Sequence, residues 1–396
     1  MKAIVRIVGC IAAALCATSA VAQSVDGQED ATAVENSAAA PVAFVYATRP
    51  THVDGFAAAS NGKLTPVPGS PFSTPGFLHL SVNKEFLFGF DGTNIYSYAI
   101  ASNGSLTLAA TTSAYQAPGL CGGFEIYPMT LNAAGSILYL PEAVCPGNNQ
   151  VIESFKIESN GELNYLGASA ESELQGPLTV LGNSKYAYAA TCEPVNGSDT
   201  WSPLTATYTS ESSGLLKINH DSFPLPQADY PAPDYTCPDA LAADPSNHLA
   251  MAEHAYDPKN GSGYAPEFLA SYTADSKGNL TTSSTPKNMA QADIIGSVLS
   301  ISPTGKLLAI GGGDFGTGFQ IFHFNGGEQI TNFSDVLQPN NQDYFSEFGW
   351  DKSNHLFALD WGIGLYVYTV TPTSIKQAPG SPYLIPDTDS LIVLVK

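Results

Sequence analysis

One apolar phrase recurs seven times along this chain, and that repetition limits the fold more than any other feature. Phe86-Leu87-Phe88-Gly89-Phe90-Asp91 aligns with Ile137 to Glu142 and with Tyr186 to Thr191. Ser246-Asn247-His248-Leu249-Ala250-Met251-Ala252-Glu253 nearly duplicates Ser353 to Asp360, and Leu307 to Gly312 with Ala43 to Thr48 completes the set. A turn such as Asn83-Lys84, Pro245-Ser246 or Lys352-Ser353 precedes the apolar run, as a hairpin between two strands requires. A second alternating strand follows in each unit, and then an Asn-Gly turn at Asn103-Gly104, Asn160-Gly161 or Asn325-Gly326. Four antiparallel strands per unit, at a spacing of roughly 50 residues, predict an all-β protein: a seven-bladed β-propeller.

The two ends complete that prediction. The chain enters at Ala43 on what should be the second strand of a blade, and it finishes on Leu391-Ile392-Val393-Leu394-Val395, which reads as a first strand. The C-terminal strand is therefore expected to close the first blade, leaving no open sheet edge.

Residues 1–22 carry Lys2 and Arg6, an apolar run from Ile7 to Cys16, and Ala20-Val21-Ala22 before Gln23, the pattern of a cleaved signal peptide. A lipid anchor at Cys10 is the competing reading, disfavoured because the apolar run continues past that cysteine. Residues 23–40, rich in Ala, Ser, Asp and Glu, read as a disordered leader, and residues 41–396 as the propeller. Periplasmic or extracellular placement follows, with no membrane span and a monomer expected.

Loss of Lys2 and Arg6 leaves 13 basic residues against 36 acidic ones, a net charge of −23. Such a surface repels nucleic acid, and Arg49 as the sole remaining arginine argues against phosphate recognition. Small-molecule, carbohydrate or protein ligands stay compatible. Cys121, Cys145, Cys192 and Cys237 remain, an even count in an exported chain. With this strand order, loops after second and fourth strands share one face, which predicts the pairs Cys121–Cys145 and Cys192–Cys237.

The repeated strand, its turns and the phrases Asn61-Gly62-Lys63-Leu64-Thr65-Pro66-Val67-Pro68-Gly69-Ser70-Pro71-Phe72 and Ala378-Pro379-Gly380-Ser381-Pro382-Tyr383 resemble the lactonase-type seven-bladed propellers. That group contains bacterial 6-phosphogluconolactonases and fungal muconate cycloisomerases, and its exported bacterial members are the nearest likeness. The resemblance implies lactone chemistry. Its cycloisomerases rely on arginines, a histidine and a glutamate in the central channel, whereas this chain offers Arg49 alone for the cationic part.

Near the end of the second strand, one repeat position gives Asp91, Glu142, Glu253 and Asp360. If they project toward one mouth of the channel, they can hold a cation, for which Ca²⁺ is the candidate, or serve acid–base chemistry. The plainer reading has them bonded to neighbouring loops, with no cofactor required. Glu253-His254, with Arg49 from the corresponding loop of blade 1, forms the sharpest catalytic candidate: His254 as general base, Arg49 steadying an oxyanion. A surface histidine in a polar loop is the bland alternative. His248 and His355 occupy matching hairpin positions and read as structural. Aromatic residues including Trp201, Tyr208, Tyr256 and Trp361 suit stacking on a sugar, or packing between blades.

No Gly-x-Ser-x-Gly elbow or His-Glu-x-x-His motif is present. Two functions therefore stand: a ligand-binding or protein-interaction module presenting an acidic, aromatic-lined channel face with Asp91, Glu142, Asp360, Trp361 and Tyr256, and a hydrolase of a non-phosphorylated sugar lactone.

Overall fold

The hairpins between first and second strands show local sequence acting most directly. In Asp244-Pro245-Ser246-Asn247-His248, Asp244 Oδ1 accepts the N–H groups of Ser246 and His248, each at 2.8 Å, while Oδ2 sits 2.8 Å from His248 Nδ1. Asp351 repeats this with Ser353 and His355 at 2.8 Å, and holds His355 Nδ1 at 2.6 Å. The residue between, Asn247 or Asn354, takes a positive φ of 70° or 59°, which an asparagine side chain tolerates. His248 and His355 are thus turn-locking groups.

The computed structural model describes residues 40–120, 127–145, 149–172, 174, 176–194, 201–220, 223–226, 235–256, 267–294, 298–312, 318–339, 344–360, 363–385, 387–388 and 390–396. The expected signal peptide and nearly all of the expected leader lie outside them. Among the described residues there are strands and turns only, in seven antiparallel sheets, and no helix is long and apolar enough to cross a membrane.

The second strands of blades 1 to 7 are Ala43–Arg49, Phe86–Phe90, Ile137–Val144, Tyr186–Pro194, His248–Tyr256, Leu307–Gly311 and His355–Asp360. Each pairs inward with a first strand and outward with a third, and a fourth completes the blade. In blades 1, 5 and 7 an extra short strand, Phe72–Ser73, Ala290–Ala292 or Tyr383–Leu384, also pairs with the third strand.

Closure runs as expected. Leu391–Val395 is the inner strand of blade 1, with Ala43 opposite Val395 and Ala47 opposite Leu391. Thr48 and Ser390 lock the seam: Thr48 N donates to Ser390 O at 2.9 Å and Ser390 N to Thr48 Oγ1 at 2.9 Å. Glu347 of blade 7 accepts the Ser390 hydroxyl at 3.1 Å and the Leu391 N–H, so the last strand is held from both sides.

Apolar side chains pack in the spaces between neighbouring blades rather than around one centre. Tyr188, Phe223 and Tyr272 form an edge-to-face row between blades 4 and 5, with centroids 5.9 Å apart at each step. Phe319 of blade 6 meets Phe345 of blade 7 at 4.9 Å. Such T-shaped contacts set the positive ring edge against the negative face. A disulfide joins Cys192, on the second strand of blade 4, to Cys237, on the inner strand of blade 5, with Cα atoms 5.4 Å apart. Cys145 is disulfide-bonded as well; Cys121, its expected partner, lies outside the described residues.

Candidate functional site

Blade 5 concentrates the titratable groups. Its inner strand is Tyr235–Ala243, its second His248–Tyr256 and its third Glu267–Ala274. Cys237 opposes His254 and Pro238 opposes Glu253, but the register then slips, and Ala240 opposes Ala252. Asp239 is the extra residue of this β-bulge, and a bulge re-aims a side chain out of the regular alternation. On the other flank, Glu267 stands directly opposite His254. Cross-strand partners share a face, so three strands bring Asp239, His254 and Glu267 together.

Their candidate ligand atoms all lie within 4.8 Å of one another. Asp239 Oδ2 is 2.5 Å from His254 Nδ1, a charge-assisted contact that fixes the ring. The His254 side chain is 18% exposed and that of Asp239 25%, so the pair is open to solvent while Glu267 is wholly buried. Asp239 and Glu267 were absent from the sequence-derived candidates. Pro238 was the available signal, because a proline inside a strand marks a bulge or an edge.

The structure separates the expected pair Glu253 and His254. Consecutive strand residues point to opposite faces. Glu253 continues the row of Leu249 and Met251, which pack with Tyr188, Phe223 and Tyr272 on the blade 4 side. His254 continues the row of Ala250 and Ala252, which pack on blade 6. Glu253 is wholly buried, and neither carboxyl oxygen has a hydrogen-bond partner among the described residues. Burial, with a contribution from Asp239, pushes its pKa up to about 9, so it is a neutral acid at pH 7.

Arg49 is also placed differently from the expectation. Its Nε donates to Asp54 Oδ2 at 2.6 Å and its terminal nitrogen to Asp54 Oδ1 at 3.2 Å. This two-point grip keeps the guanidinium in blade 1, neutralised by its own neighbour on the third strand.

Asp91, Glu142, Glu253 and Asp360 do not form a shared ring of carboxylates. Among the described residues, the one group of three or more with ligand atoms this close is Asp239, His254 and Glu267. The reason is radial: second strands stand behind the inner strands, so the four residues stay within their own blades. Asp91 Oδ1 caps a turn, accepting from Thr93 N at 2.8 Å and Asn94 N at 2.7 Å. Asp360 Oδ1 accepts from Ile363 N at 3.1 Å. Glu142 is buried, and desolvation, then the charge of Glu153, pushes its pKa up to about 9. Glu153 in turn accepts the N–H groups of Tyr115 at 3.1 Å and Ala117 at 2.7 Å, tying down the loop between blades 2 and 3. Trp361 and the side chain of Tyr256 lie outside the described residues, and Tyr208 is buried in the packing beside blade 3.

The lysines gather on one rim of the wheel, interspersed with acids such as Glu85, Asp244, Asp275 and Asp351. Lys84, Lys185, Lys306 and Lys352 fall in turns between first and second strands, and Lys63 and Lys277 between third and fourth. Strand alternation puts all these turns on one rim. Arg49, Asp54, Asp91, Glu267, Glu347 and Asp360 lie toward the other, with acids dominant. A cavity of about 530 Å³ opens on the lysine-bearing rim, lined by hairpin residues such as Asn83, Lys84, Glu85 and Asn132. Its exposed turn residues carry none of the paired acid–base groups of blade 5, so the blade 5 cluster is the better candidate for chemistry.

No protein-family model matches the chain, and neither does any curated protein. Solved structures do. A candidate 6-phosphogluconolactonase from Bacteroides uniformis superposes with a TM-score of 0.57 at 14% identity, covering 89% of this chain and 99% of that one. A protein from Lactobacillus plantarum gives the same values. Hydrazine synthase from Kuenenia stuttgartiensis gives a TM-score of 0.52 at 11% identity, with the same coverage of both chains. At these identities the likeness is one of fold.

Proposed function

We propose that this seven-bladed propeller hydrolyses an uncharged lactone at the blade 5 cluster, with His254 as general base. The observation that carries the proposal is the part-exposed Asp239–His254 pair at 2.5 Å. Asp239 holds Nδ1, leaving the other ring nitrogen to take a proton from water as the water oxygen bonds to the lactone carbonyl. Collapse of the tetrahedral intermediate breaks the ring C–O bond, and the same proton passes to the departing alkoxide, giving the open hydroxy acid. The likeness to the Bacteroides uniformis candidate 6-phosphogluconolactonase supports the reaction class. The acidic rim and the engagement of Arg49 by Asp54 argue for a substrate without phosphate, since a phosphate needs cationic partners.

Release of acid from δ-gluconolactone and a panel of neutral γ- and δ-lactones, followed above the spontaneous rate, tests this. His254→Ala should lower the enzymatic rate by about 10²–10⁴-fold, the usual worth of a positioned base, and Asp239→Asn should lower it in the same direction. Wild-type rates indistinguishable from spontaneous opening across the panel overturn the reading. A ligand-binding module would remain, and tight sugar binding without turnover is the result that would favour it.

A further inference from the structure

The three side chains of blade 5 have a composition that general-base catalysis does not need. One imidazole nitrogen and two carboxylates are what a first-row divalent ion takes, whereas calcium takes oxygen ligands throughout. We infer that Asp239, His254 and Glu267 form a divalent-cation site of the zinc class.

Geometry carries the inference first. The three ligand atoms come from three adjacent strands and fall within 4.8 Å of one another. An ion with bonds of about 2.1 Å holds its ligand atoms roughly 3 to 4 Å apart, so small side-chain rotations close the set. The bulge itself is not peculiar to blade 5: blade 7 has a slip of the same kind between Phe345 and Glu347. There the extra residue is Ser346, and no three-ligand group arises among the described residues. The ligand set is therefore a property of these residues and not a by-product of the propeller.

The cluster is also reachable. The Asp239 and His254 side chains are 25% and 18% exposed, while Glu267 is wholly buried, so an ion can enter past the first two and meet a third ligand already withdrawn from water. The net charge of −21 draws cations toward the surface.

Loading exchanges one interaction for another. The lone pair of His254 Nδ1 goes to the ion, and the proton shared with Asp239 leaves to solvent. An ion at the cluster and an intact Asp239–His254 hydrogen bond therefore exclude each other, so occupancy regulates the base proposed above.

The test uses the full chain stripped with a chelator and titrated with Zn²⁺ against a chromophoric competitor. One equivalent should bind; His254→Ala and Glu267→Gln should each weaken binding by about 10-fold or more, while His323→Ala, in blade 6, should not. Should Glu267→Gln fail to fold, His254→Gln and Asp239→Asn are read instead, through the d–d bands of bound Co²⁺, which depend on the nitrogen ligand. Absence of a stoichiometric site, or binding indifferent to His254, overturns the inference. Zinc binding without lactone hydrolysis leaves this inference standing and removes the hydrolytic reading; hydrolysis without zinc binding does the reverse.

Discussion

The hydroxyl of Tyr46 in blade 1 donates to the main-chain oxygen of Gly104 in blade 2 at 2.8 Å. Tyr139 reaches Gly214 at 3.2 Å and Tyr188 reaches Gly278 at 2.9 Å in the same way, so an aromatic of one second strand staples the outer hairpin of the next blade. Gly104 has φ of +85°, and a Cβ there would come within 2.7 Å of Phe44 and Val67. Gly104→Ala should therefore cost about 2–3 kcal/mol through strain and overpacking. Tyr46→Phe should cost about 1–2 kcal/mol, because the buried carbonyl loses its donor. Chemical denaturation checks both, and the order of the two costs is the informative result.

Glu142 makes stability depend on pH. Its folded-state pKa is pushed from 4.5 up to about 9, so between those values the folded chain keeps a proton that the unfolded chain has lost. Stability then falls as pH rises through that window. Glu142→Gln keeps the shape without the titration, so its midpoint of thermal unfolding should exceed that of the parent by a few degrees at pH 8 and converge with it near pH 4. Parallel melting curves at both pH values would refute the assignment.

The bridge between Cys192 and Cys237 lies one strand from the proposed site, since Cys237 is the cross-strand partner of His254. Replacing both cysteines by serine should reduce stability by about 2–4 kcal/mol. It should also reduce lactone hydrolysis by more than the folded fraction accounts for, because the bulge that presents Asp239 begins one residue later. Activity normalised to folded protein, measured by near-ultraviolet circular dichroism, separates the two effects.

Removal of residues 391–396 should abolish folding. These residues supply the whole inner strand of blade 1 and the Leu391 N–H that Glu347 accepts across the seam. A truncated chain that retained a cooperative melting transition would show that closure is dispensable. A separate peptide of the last strand restoring that transition would support the pairing.

Much of this architecture could be read before any coordinates were known. Blade number, the entry at Ala43 and closure by Leu391–Val395 follow from repetition, because identical hairpin residues such as Asp244 and Asp351 enforce identical local geometry. His248 and His355 were legible as structural for the same reason. The pairing of Cys192 with Cys237 followed from which loops share a rim.

The chemistry of blade 5 was not legible at that level. Glu253 and His254 are neighbours in the chain, yet strand pleating sends them to opposite sides of the sheet. Asp239 and Glu267 lie 15 and 13 residues from His254 in the chain and meet it through a register slip and a cross-strand pairing. Linear order specifies turns and alternation, which are local. Which side chains share a face across three strands depends on register, and register is settled only when the strands pair.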